Sequence, residues 1–112
     1  MFLIAITNSW SVLNHPDRSY QLDGPPQASS SGAITGTENT EFDAVETPLT
    51  GSYNGHSIQF TVQRPATVTA SCTDCTDLTT CACVTFAGTI IDETHIHIEA
   101  AATGETYDLT HP

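Results

Sequence analysis

Lysine is absent from this chain of 112 residues, and its only two basic side chains, Arg18 and Arg64, stand against thirteen acidic ones. A formal charge of −11 repels phosphate backbones and anionic lipid, which argues against nucleic acid and membrane surfaces as partners. The low isoelectric point fits a salt-rich and an extracellular setting equally well. No apolar run approaches the length of a membrane span. Met1-Phe2-Leu3-Ile4-Ala5-Ile6 is too short for the core of a signal peptide and lacks a basic residue ahead of it, so if the protein is secreted its signal has been removed. No stretch carries a helical stripe. No nucleophile elbow, phosphate loop or pair of catalytic carboxylates is recognisable, nothing calls for a cofactor, and a triad assembled from the many Ser, His and Asp residues would have no specificity. The chain therefore reads as something other than an enzyme.

What is present is alternation. In Pro48–Val62, Leu49, Gly51 and Tyr53 alternate with polar residues up to Asn54-Gly55, and Ile58, Phe60 and Val62 alternate beyond it, which predicts a β-hairpin. Asn-Gly suits a tight turn that needs residues at positive φ. Around this hairpin, Asn8–Val12, Ser19–Asp23 and Ala33–Thr37 read as strands one to three. Val84–Ile90, the run around Ile96, Ile98 and Ala100, and Tyr107–Leu109 read as strands six to eight. Phe2–Ile6 is either a first strand or an extension packed on another surface. Asn14-His15-Pro16-Asp17 reads as a turn, Gly24–Gly32 as a loop, and the acidic stretch Thr37–Thr47 as a long loop with Phe42 and Val45 as its sizeable apolar groups. Eight short alternating strands in a chain of this length predict one all-β domain over residues 1–112, an antiparallel up-and-down barrel with a cysteine-rich loop at about 71–83.

Several motifs resemble the avidin and streptavidin family, and in particular the shorter bacterial avidins, with the lipocalin-like barrels as the broader possibility. They are Trp10 opening strand one, Ile34-Thr35-Gly36-Thr37, Pro48-Leu49-Thr50-Gly51 with Asn54-Gly55, Ile58–Val62, Phe86-Ala87-Gly88 and Glu105-Thr106-Tyr107, spread over roughly residues 8 to 110. The resemblance implies the barrel, association through sheet faces into a homo-oligomer, and a biotin site whose acidic residue matches Glu105. It also implies tryptophan walls, and here the sequence departs: the matching places hold Arg64, Phe86 and Glu99, and Glu38 stands where the family carries a tyrosine. Biotin held with the family's affinity is therefore not expected. Some bacterial avidins tie the loop between strands five and six to another loop by a disulfide.

Cys72-x2-Cys75-x5-Cys81-x-Cys83 is the densest chemical signal. Four thiolates could hold a tetrahedral metal, but a Cys-x-Cys pair only five residues after the first pair departs from common zinc spacings, so two disulfides are the preferred reading. The nested set, Cys72 with Cys83 and Cys75 with Cys81, suits the two arms of a hairpin. His95-Ile96-His97-Ile98-Glu99 places two imidazoles and a carboxylate on one strand face, either as a transition-metal arrangement or, as the preferred reading, as the wet side of a half-buried strand.

The expected function is a non-catalytic small-ligand-binding barrel. Its mouth lies near Glu38–Val45 and Arg64, and Trp10, Glu38, Phe60, Arg64, Phe86 and Tyr107 form its lining. A metal-binding protein using Cys72, Cys75, Cys81 and Cys83 or His95 and His97 is one alternative, and an assembly module with a filled barrel is another. Oxidised cysteines favour a secreted or extracytoplasmic location.

Overall fold

Period-two alternation sets every strand of this chain, because one face of each must leave water while the other stays in it. The computed structural model describes residues 2–40, 43–67 and 69–111, with residues 43–45 described by their backbone alone. It contains β1 (Asn8–Val12), β2 (His15–Asp23), β3 (Ser31–Thr40), β4 (Asp43–Asn54), β5 (Ser57–Val62), β6 (Val84–Asp92), β7 (His95–Ala100) and β8 (Glu105–Thr110). Consecutive strands pair antiparallel and β1 closes on β8, giving an eight-stranded up-and-down barrel with no helix among the described residues. Closure rests on the two residue pairs Ser11↔Thr110 and Val12↔Leu109.

The inward positions interlock around Trp10, Tyr20, Leu22, Ile34, Leu49, Ile58, Phe60, Val62, Phe86, Ile90, Ile96, Ile98 and Leu109, all essentially inaccessible. Tyr20, Phe60 and Phe86 meet at ring-centroid distances of 5.6–6.3 Å, a common spacing for tilted and edge-on aromatic pairs. Phe2–Ile6 is the extension rather than a strand. Ile4 exchanges both backbone hydrogen bonds with Ser29, Trp10 Nε1 donates to the carbonyl of Ile6 at 3.1 Å, and the buried Ile4 and Ile6 stop the barrel end that carries the β2–β3 loop. At the inner face of β6, Gly88 is packed so closely that a Cβ there would fall 1.8 Å from the carbonyl oxygen of His97.

Three sequence expectations are corrected. Thr37–Thr47 is largely a β ladder, with Glu38 opposite Thr47 and Thr40 opposite Asp43, because its polar residues find partners across the strands. Phe42 lies outside the described residues, as does the side chain of Val45. The turn before β2 is Leu13-Asn14, with Asn14 at φ 65°, so β2 already begins at His15. In the central hairpin Asn54 pairs with Ser57, which leaves Gly55-His56 as the loop, and among these residues only Gly55 is at positive φ (59°), the signature of a type II′ turn. A Cβ at Gly55 would meet nothing within 4 Å, so Gly55→Val probes the backbone alone. It is expected to cost about 1–2 kcal/mol in urea unfolding, and unchanged stability would argue against this turn.

Candidate functional site

Strand parity decides which polar residues enter the barrel. Arg18 shares the inward phase of Tyr20 and Leu22, Glu38 that of Ile34, and Arg64 continues Phe60 and Val62 just past the end of β5. Glu105 and Tyr107 precede Leu109 on the inner face of β8. All of them sit at the end of the barrel that carries the β1–β2, β3–β4, β5–β6 and β7–β8 connections. Both cations of the chain thus converge on one spot.

Glu38, only 4% exposed, is the hub. Its carboxylate accepts hydrogen bonds from Tyr20 Oη and from Arg64 Nε and Nη2, both at 2.9 Å. Arg64 also donates to both oxygens of Glu105, from Nη1 at 2.7 Å and from Nη2 at 3.0 Å, and Tyr107 Oη donates to Glu105 at 2.7 Å. One guanidinium therefore clamps two carboxylates while lying 5.8 Å above the centre of the Phe86 ring. Arg18 stacks 4.9 Å over Tyr107. Its Nη1 is buried 3.0 Å from Glu38 Oε2, but that oxygen lies off the N–H directions, so the contact is an ion pair without a hydrogen bond.

Titration follows from this wiring. The hydrogen bonds from Arg64 hold the Glu105 carboxyl down to about 2, against burial that pushes the other way. Burial and then the neighbouring Glu105 push the Tyr107 phenol up to about 12, and burial together with Glu38 pushes Tyr20 up as well. Burial disfavours the charge on Arg64, but its bonds to Glu105 and Glu38 outweigh this and hold it above its ordinary value. A carboxyl with a depressed pKa stabilises the fold above its unfolded value, here 4.5, and loses that contribution as pH falls towards 2. Glu105→Gln is expected to lower stability at pH 7 by about 1–2 kcal/mol, allowing for partial solvent screening. The gap from the parent protein should close between pH 4.5 and 2, and a gap that persists at pH 2 would argue against a charged pair.

Above the cluster lies an open cleft of about 720 Å³, bordered by Arg18, Glu38, Glu46, Gln63, Arg64 and Ser71. The β5–β6 connection forms one wall, where Pro65 bridges Cys81, Ala66 N–H donates to the Thr80 carbonyl and Ala82 N–H to that of Arg64. This loop carries disulfides Cys72–Cys81 and Cys75–Cys83, with no free cysteine among the described residues. The cysteines are therefore oxidised, but the nested pairing is replaced by a crossed one. Residues 74–81 do not form the two arms of a hairpin. Asp74 and Asp77 cap the N–H groups of Thr76 and Thr79, and successive turns bring Cys81 rather than Cys83 to Cys72.

Of the residues expected to line a site, Glu38 and Arg64 border the cleft, Phe86 and Tyr107 support the two guanidiniums from beneath, and Trp10 and Phe60 lie in the packed interior. Arg18 and Tyr20 were not among them. The signal was the inward phase of Tyr20 and Leu22 extended two residues back, hidden by the turn chemistry of His15-Pro16-Asp17. On the outer face, His95 Nε2 and His97 Nδ1 each donate to Asp108 Oδ1 at 3.0 Å, and His97 Nε2 lies 3.1 Å from Glu99 Oε1. An imidazole with an acceptor at each nitrogen makes both bonds only when protonated, and the bonds to Glu99 and Asp108 raise the pKa of His97. Ile96 and Ile98 between them are fully buried, as expected of a half-buried strand.

No family model, curated protein or solved structure matches this chain.

Proposed function

We propose that this protein is a non-catalytic binding module of avidin-like character that takes a small molecule in the cleft above Arg18, Glu38 and Arg64. The observation that carries this reading is the placing of both arginines of the chain on the floor of that cleft, with a buried Arg18 Nη1 that makes no hydrogen bond among the described residues. A buried donor held only by an unaligned ion pair to Glu38 is incompletely satisfied, and a ligand oxygen in line with its N–H would relieve that cost. The charged side chains bordering the cleft, Arg18 and Arg64 with Glu38 and Glu46, balance one another, which favours an uncharged molecule with a carbonyl-type acceptor over a polyanion. The disulfides fit an extracytoplasmic place of work, where such bonds persist.

Native mass spectrometry of the protein from its natural host tests the reading. A small noncovalent adduct is expected on the parent chain and absent from Arg18→Leu, and a bare parent mass argues against it. Biotin itself is expected to bind no tighter than about micromolar, since each missing aromatic wall costs about 2–4 kcal/mol. A nanomolar constant in titration calorimetry would show that Arg64 and Phe86 serve as walls after all.

An assembly module is the second reading. It is favoured by the aromatic filling of the barrel interior, and a large homo-oligomer with no adduct in the same spectrum would support it.

A further inference from the structure

The two disulfides lie against each other, with Cys72 Sγ 3.9 Å from Cys83 Sγ and the sulfurs of Cys72, Cys75 and Cys83 all within 4.8 Å of one another. Zinc bound tetrahedrally at about 2.3 Å sets its sulfurs about 3.8 Å apart. The Cys72–Cys83 separation already meets that spacing. Of the six sulfur–sulfur edges of a tetrahedron, two more are the disulfide bonds themselves, which lengthen once cut, and Cys72–Cys75 is already within 4.8 Å. Cys81, outside that group, has to be carried to Cys75 and Cys83 by the loop.

From this juxtaposition we propose that the cysteine-rich loop is a four-thiolate site for zinc, or another thiophilic divalent ion, in its reduced state. A dithiol reductant gives each disulfide two electrons and two protons and leaves as its own disulfide, and the incoming ion then displaces the four thiol protons. Cys72-x2-Cys75 is a chelating pair of ordinary zinc spacing. Cys81 and Cys83 complete the set from a stem held to Pro65 and to the Arg64 carbonyl. Residues 74–81 are joined by turns rather than by a strand ladder, so the sulfurs can move apart without disturbing the barrel. Asp74 and Asp77, together with a net charge of −11, draw a cation towards the loop. Metal in place of disulfides would keep the cleft wall pinned in a reducing environment. The metal site shares Cys72 with the wall of the cleft, but metal uptake is read with no small molecule present, so each proposal can fail without the other.

Cobalt titration tests the proposal, because thiolate-bound Co²⁺ shows its ligands in its absorption. The protein is reduced with a phosphine under nitrogen, freed of reductant and titrated beside the oxidised form. The reduced chain is expected to take up one Co²⁺ with thiolate charge-transfer bands, to lose it to Zn²⁺, and to keep its strand circular dichroism. Its affinity should exceed that of the oxidised chain by at least about a thousandfold. Reduced Cys75→Ser should bind more weakly, with dimmer thiolate bands. Absence of uptake, uptake without thiolate bands as at His95 and His97, equal uptake by the oxidised chain, or uptake only with loss of the barrel each overturns the proposal.

Discussion

Glu38→Gln is expected to lower the stability of the barrel by about 3–5 kcal/mol, the cost of removing one partner from a buried ion pair. Glutamine matches the volume and can still accept from Tyr20, so cavity formation is not the cause. What is lost is the one carboxylate that, among the described residues, pairs with both guanidiniums. Arg18 then has no carboxylate partner among the described contacts, and Arg64 keeps only Glu105. In a domain of this size the loss corresponds to a fall in Tm of the order of 10–20 °C. Urea unfolding should show a lower midpoint at unchanged slope, and adding Arg18→Leu should recover part of the loss by removing the stranded cation. A loss under about 1 kcal/mol would mean that water screens the cluster as it does surface pairs.

Gly88→Ala is expected to be as damaging for a different reason. The new methyl would stand 1.8 Å from the His97 carbonyl oxygen and 2.9 Å from Ile98 Cα, both backbone atoms that cannot swing aside. β6 and β7 must separate, or the alanine must leave its conformation, at the upper end of overpacking costs, about 3 kcal/mol or more. The loss should appear as faster unfolding or as failure to accumulate folded protein. A stability within about 1 kcal/mol of the parent would show that the sheet curls less tightly here.

The eight strands and their inward phase were legible because alternation is a direct imprint of one-sided burial, and residues such as Ile96 and Ile98 have no other place to go. Strand ends were less so. Pro16 and Asp17 have turn-forming chemistry, yet β2 runs through them because its ladder with β1 resumes beyond them, Ser11 opposite Ser19 and Val12 opposite His15 across a bulge, and pairing outweighs local preference. The acidic run Thr37–Thr47 lacks apolar alternation because its inward residues include Glu38, whose partners, Arg18 and Arg64, lie twenty or more positions away in sequence. A polar cluster of this kind leaves no periodic mark and becomes visible only when the barrel closes. The crossed disulfides were illegible for a related reason, since the pairing is decided by the turns at Asp74 and Asp77 and not by spacing.

The ring of strands is not equally strong all the way round. β7 and β8 are joined over six residue pairs, but β8 and β1 over only two, Ser11↔Thr110 and Val12↔Leu109. Because β1 owes its place to this short seam, to its ladder with β2 and to the buried Ile4, Ile6 and Trp10, the least costly partial opening of the native state peels it away from β8. Amide protons along the seam should then exchange with solvent sooner than those of β3, β4 and β5. Each such opening bares two unpaired strand edges, the kind of template on which neighbouring molecules add strands, so the long-term resistance of this protein to aggregation depends on how seldom the seam opens.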